Sequence, residues 1–389
     1  MTRVTRLLAF AVLTPVFAVS SVLAGCSGSM QQAAKSSPPK NLADIPVMGL
    51  PIEPGAAADL GYSINWVSRF GKPDERIRPL RHVRVLGDLV VFLEEGSDKV
   101  TAYDAATGAF RWSRHVGERL QVLYAPVRSD DWVYINTESR LHRINAKTGY
   151  EAEPIVLKTP VAAEAAVFEN FLVFGGLDGR VVFFNLRTGY ATWEYQLPKS
   201  ICTRPVVFAK SLFAVDSGGN YVMLSPDRRE LAWRSHTWGP VTIDPVLFKD
   251  TLIVPCMDGT LYGIHRSTGL DLWKYYDMQV QLEGPPFVVE SRSQIVLSVR
   301  DEGLRILSAN SGQEALRIKT TARPVVSADG KMVLLDKGTN EMVLMEVPGG
   351  REIARVPSMP LSKVVNMGDG SLLFVGVDGQ LMRLTPNKK

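Results

Sequence analysis

An all-β fold, an eight-bladed β-propeller of four-stranded antiparallel blades, is predicted by three features of the 389-residue sequence. A short segment recurs at intervals near forty residues, each interval holds apolar runs broken by turn dipeptides, and a strand missing at the chain's end is found near its beginning. Composition bounds the alternatives. With 44 Lys+Arg against 40 Asp+Glu and no block of like charges, the net +4 offers nucleic acid no basic stripe. An apolar content of 46% is ample for a core, and three cysteines are too few for a disulfide framework.

Taken in order, residues 1–25 read as a signal peptide. Arg3 and Arg6 precede an apolar run over 7–24 that Pro15 interrupts. Read instead as a transmembrane helix, that run barely reaches the ~20 residues a bilayer requires, and no second one follows. Leu23-Ala24-Gly25-Cys26 resembles the bacterial lipobox, which implies a lipid on the Cys26 sulfur and attachment to the membrane through it; cleavage beside an incidental thiol is the other reading. Ser27, not Asp, follows the cysteine, which resembles the signal for release to an outer membrane. Residues 26–61, rich in Ser, Ala, Pro and Gly, are expected to form a flexible tether without structure of its own.

The body is expected over 62–386. Thr107-Gly108-Ala109-Phe110-Arg111-Trp112 recurs as Thr188-Gly189-Tyr190-Ala191-Thr192-Trp193 and Thr268-Gly269-Leu270-Asp271-Leu272-Trp273. With Gly149, Arg229, Gly312 and Gly350 the column has successive intervals of 41, 40, 40, 40, 43 and 38. An independent column, Pro126, Pro205, Pro245, Pro286 and Pro324, with Ala165 in the missing place, keeps the same register. In the third unit, strands are expected at 165–168, 171–175, 181–185 and 191–197, with Asp178-Gly179 as a tight turn that Asp258-Gly259 and Asp378-Gly379 repeat. A β-sandwich would not produce that register. After the seventh unit three strands fit before Thr385 but the tryptophan strand is absent, and Tyr62-Ser63-Ile64-Asn65-Trp66 supplies it. The eighth blade is then held by both chain ends, which leaves no open seam in the ring.

These units resemble the PQQ-type propeller repeats, whose apolar-Asn/Asp-Ala-x-Thr-Gly turn is matched by Tyr103-Asp104-Ala105-Ala106-Thr107-Gly108 and Ile144-Asn145-Ala146-Lys147-Thr148-Gly149. In that family the tryptophan packs between blades. Trp112, Trp193, Trp233 and Trp273 keep its position, whereas Glu153, Leu316 and Ala354 depart from it. The lipobox, the proline-containing tether and the length further resemble the BamB-like lipoproteins of the outer-membrane β-barrel assembly machinery. That resemblance implies an anchored, periplasm-facing scaffold without cofactor, a monomer within a hetero-complex of envelope proteins. An envelope propeller with another partner, or a pyrroloquinoline-quinone dehydrogenase, are the alternatives; against the latter, the adjacent cysteine pair that sandwiches the quinone is missing.

No enzyme motif appears, and no catalytic, cofactor or metal residue is expected. His82, His115, His142, His236 and His265 lack metal-ligand spacing, and His142 and His265 read as frame residues. Cys202 and Cys256 leave a disulfide or two thiols open. Arg204 and Asp244 hold the same place before the column proline in adjacent units, with Arg323 three units on, and Trp238 lies outside the strands in Thr237-Trp238-Gly239-Pro240. BamB-like proteins contact their partner through loops of this pair of blades. Either Arg204 and Asp244 simply pair on the surface, or Arg204, Trp238 and Asp244 form a partner-binding patch. The crowded Met332, Met342, Met345 and Met367 are expected in the core, and the basic stretch 72–81 in a solvated loop.

Overall fold

The computed structural model describes residues 49–71, 78–118, 121–276 and 282–387. The signal segment, Cys26, most of the tether and residues 72–77 of the basic stretch lie outside them. The described strands form eight four-stranded sheets. Seven follow sequence order, and the eighth places Tyr62–Arg69 beside Gln380–Pro386, then Leu372–Gly376 and Leu361–Asn366. In the third blade the strands are Ala166–Phe168, Phe171–Gly175, Arg180–Asn185 and Tyr190–Gln196, within a residue of those predicted.

Burial runs in a gradient across each blade. Second strands such as Leu89–Glu94 and Leu372–Gly376 are buried throughout, because both faces pack on neighbouring blades, which is why they read as unbroken apolar runs. Fourth strands such as Glu230–His236 hold only exposed and half-buried residues at the rim. First strands such as Val206–Phe208 are half-buried. First strands of neighbouring blades touch from the second blade to the fourth and from the sixth round to the first, so the first strands lie innermost around a central channel. At one mouth, Phe248, Phe287, Ser327 and Asn366 line a cavity of about 820 Å³.

The repeated turn has a physical cause. Asp104 Oδ1 accepts the N–H groups of Ala106 and Thr107 at 3.0 and 2.8 Å, and Asn145 Oδ1 accepts those of Lys147 and Thr148 at 3.1 and 3.0 Å. A short acceptor side chain is needed there to satisfy the turn's donors. The glycine that follows takes φ of +69° at Gly108 and +68° at Gly149. It is also covered by the preceding blade's tryptophan: a Cβ on Gly108 would come within 2.4 Å of the Trp66 ring, and one on Gly149 within 2.7 Å of Trp112. Each indole then donates its N–H to the carbonyl three residues before that glycine. The pairs are Trp66 to Ala105 at 3.3 Å, Trp112 to Ala146 at 2.9 Å, Trp233 to Arg266 at 2.9 Å and Trp273 to Ala309 at 3.1 Å. A large apolar ring with one polar handle suits a seam that presents a backbone carbonyl at its edge.

Closure follows the predicted scheme. Tyr62 pairs with Pro386 and Arg69 with Gln380, with a bulge between Ile64 and Trp66. Arg383 Nη1 donates to Ala105 O at 3.0 Å, tying the C-terminal strand to the first blade. The tether expectation needs correction at its end, since residues 49–61 belong to the folded body. Ile52, Ala57 and Leu60 are buried in a cluster with Met342 and Val356 of the seventh blade and Leu372 and Phe374 of the eighth. A short helix, Pro54–Asp59, places them there, and the Met359 N–H donates to Pro51 O at 2.9 Å. Burying Ile52 and Leu60 is worth roughly 1.5–3 kcal/mol each and favours docking of this segment on the seventh and eighth blades. Met332, Met342 and Met345 are buried and Met367 packs against the core, as expected.

Candidate functional site

The residues ahead of the first strands converge at the channel mouth on the crossing-loop face. Glu164, Arg204 and Asp244 each lie two residues before the first strands of the third, fourth and fifth blades; His82, Arg323 and Lys363 sit on those of the first, seventh and eighth. The Arg204 backbone N–H donates to Asp244 Oδ1 at 2.9 Å. Its guanidinium instead faces Glu164, Nη1 to Oε2 at 3.8 Å. Glu164 also accepts from Arg84 Nη2 at 2.7 and 2.6 Å. The expected adjacency of Arg204 and Asp244 is therefore present, but the charge pairing runs Arg84–Glu164–Arg204, with Asp244 capping a backbone donor.

Burial sets the electrostatics. Desolvation raises the Asp244 carboxyl above its ordinary range and Glu164 adds to the effect, against the Arg204 N–H and the Arg204 and Arg84 charges. His82 is pushed down to about 4, first by burial and then by Arg84, Arg81 and Lys363, with Glu164 opposing. It is neutral at physiological pH. Arg323 pairs with Glu283 from the preceding blade, so the mouth carries mostly paired, half-buried charge.

Trp238 stands apart from this network. Its crossing links the fourth blade to the fifth, its ring meets His236 edge-on at 5.8 Å, and its backbone N–H donates to Tyr262 Oη at 3.3 Å. The side chain is 80% exposed, and the neighbouring hairpin presents Met257, 62% exposed, whose N–H donates to Pro240 O at 2.8 Å. Trp238 thus shares a face with Arg204 and Asp244 without a described contact to either. Glu164 was missed in the sequence although it precedes Ala165, the proline-column substitute, and so occupies the same frame position as Arg204. Arg84 had no repeat signal at all.

Cys202 is exposed and Cys256 buried, and both are free thiols. His142 is buried with Nδ1 2.9 Å from Glu151 Oε1, in a frame role. Among the described residues no three His, Cys, Asp or Glu side chains group as a metal site, and no helix is long and apolar enough to cross a membrane.

The solved structures similar to this fold include BamB from Moraxella catarrhalis, with a TM-score of 0.63 at 14% identity over 83% of this chain and 97% of that one. A computationally designed protein, Ika8, gives 0.64 at 13% identity over 80% and 97%. Among curated relatives, the outer membrane protein assembly factor BamB of Shewanella oneidensis is 23% identical over 202 residues, and that of Marinobacter adhaerens 26% over 116. These alignments cover 47% and 28% of this chain, and the chain spans 50% of the first relative and 28% of the second. The family model described as outer membrane protein assembly factor BamB matches residues 63–199 and, in a second register of the repeat, 138–353. An eight-bladed PQQ-type repeat propeller matched over that span of its body, the chain belongs to the BamB family.

Proposed function

We propose that this chain is a lipid-anchored scaffold on the periplasmic side of the outer membrane, where it holds protein partners during outer-membrane protein assembly and catalyses no reaction itself. The observation that carries this reading is the family match across the propeller body, joined to the lipobox at Cys26. Acyl chains on Cys26 anchor the chain durably when more than one is present, at ~0.8 kcal/mol per buried methylene. The ring supplies a rigid face, and Trp238, Arg204 and Asp244 are its proposed partner contacts. Interface hot spots favour exposed Trp and Arg that become desolvated in the complex.

Cross-linking in the native envelope followed by mass spectrometry tests the proposal. Expected are cross-links to components of the barrel-assembly machinery that weaken in Trp238→Ala and Arg204→Glu, and a Cys26→Ala chain that leaves the membrane fraction. Cross-links to unrelated envelope proteins only, or wild-type levels in both contact variants, would overturn the partner or the patch respectively.

A further inference from the structure

The seam between the second and third blades lacks what fills its equivalents. Glu153 stands where the column calls for tryptophan and is exposed. Gly189, the glycine that this tryptophan would cover, is bare: a Cβ built there meets no atom within 4 Å. Loss of the tryptophan does not by itself produce such a gap. Where Leu316 replaces it in the sixth blade, the leucine closes on Gly350, within 2.4 Å of a built Cβ. At Gly189 nothing has moved in. A cleft of about 330 Å³ remains, walled by Ile155, Leu157, Phe174, Phe184 and Tyr190 with Gly189 at its base. That volume lies at the lower end of the ~300–1,000 Å³ typical of small-ligand sites. Its rim exposes Val156 at 72% and Tyr190 at 60%. Among the described residues no donor reaches the carbonyl of Leu186, three residues before Gly189, which is the position that accepts an indole N–H in four other seams.

We propose that this cleft binds the indole side chain of a tryptophan carried by a partner polypeptide. The molecule's own repeats supply the argument for the occupant: four seams are filled by an indole lying on the turn glycine and bonded to the carbonyl at this place. The third blade keeps the glycine and the carbonyl and is missing only the ring. An incoming tryptophan would cover Gly189, pack against Phe184 and Ile155 and donate to Leu186 O. This site is separate from the channel mouth and from the Trp238 crossing, and it does not depend on the assembly reading.

The test is fluorine NMR of a fluorinated N-acetyl-tryptophanamide titrated with the mature chain, its Glu153→Gln variant and its Glu153→Trp variant. Saturable binding is expected to wild type and to Glu153→Gln. It should fall at least about tenfold in Glu153→Trp, in which the chain's own indole fills the cleft, a loss of ~1.4 kcal/mol. The same variant should melt higher than wild type. Should Glu153→Trp fail to fold, Ala191→Trp, which blocks the cleft from its other wall, takes its place. Absence of binding to wild type, or undiminished binding to the filled variant, would overturn the proposal. Binding of free indole without binding of the blocked amide would overturn the polypeptide source.

Discussion

The indole N–H of Trp112 donates to the carbonyl of Ala146 at 2.9 Å while its ring lies on Gly149, so the first blade is fastened to the second where the second has no side chain of its own. The contact combines a buried ring with one satisfied polar group, and the two contributions separate experimentally. Trp112→Phe keeps most of the ring and leaves the carbonyl unpaired, which should cost ~1–3 kcal/mol. Trp112→Ala empties the seam and should cost ~3–5 kcal/mol. Denaturant unfolding of the two variants checks the order and the spacing.

Much of the fold was legible because the fold is itself a repeat. Gly108, Gly149 and Gly269 are spaced by the blade, so their intervals report the architecture before any strand is assigned. The missing fourth strand identified Tyr62–Arg69 as the closing strand by counting alone. The docking of residues 49–61 was not legible. Ile52, Ala57 and Leu60 are scattered among prolines without a helical or strand period, and only the seam between the seventh and eighth blades gives them a place to pack. At the channel mouth, the frame placed Arg204 beside Asp244, but it could not show that the Arg204 side chain turns toward Glu164. Ala125 stands at that frame position in the second blade, and a repeat pattern carries no information about side chains that reach past a neighbour.

Asp244 serves as an acceptor for the Arg204 N–H, and its charge is a burden rather than an asset. Asp244→Asn keeps an acceptor oxygen and removes the desolvated charge, so it should match or exceed wild-type stability at neutral pH. Asp244→Ala leaves the N–H unpaired and should cost ~1–3 kcal/mol. Because the folded carboxyl holds its proton more tightly than the unfolded one, the wild-type deficit relative to Asp244→Asn should shrink as pH falls through the raised pKa. Thermal melts of wild type and Asp244→Asn from neutral to mildly acidic pH measure that difference.

His82 has the opposite sign. The folded residue, pushed down to about 4 beside Arg84, Arg81 and Lys363, refuses a proton that the unfolded chain accepts near the ordinary value of 6.5. Wild-type stability should therefore decline as pH falls from about 6.5 toward 4, a window fixed by those two values. His82→Gln, which cannot titrate, should show a shallower decline over that window. Parallel pH profiles for the two proteins would refute the assignment.

The account depends most on a ring fastened by its two ends, and one pair of residues reports this directly. Ser63 and Thr385 are register partners across the closing strands, with their hydroxyl oxygens 3.4 Å apart. A Ser63→Cys/Thr385→Cys double variant, made in a Cys202→Ser background, should form an intramolecular disulfide on mild oxidation and gain ~2–4 kcal/mol in stability. Non-reducing mass spectrometry with alkylation reads the outcome. The closed ring predicts a monomer with both new thiols consumed and a higher Tm, whereas two freely alkylated thiols in the folded protein, or a bond formed only between molecules, would contradict it.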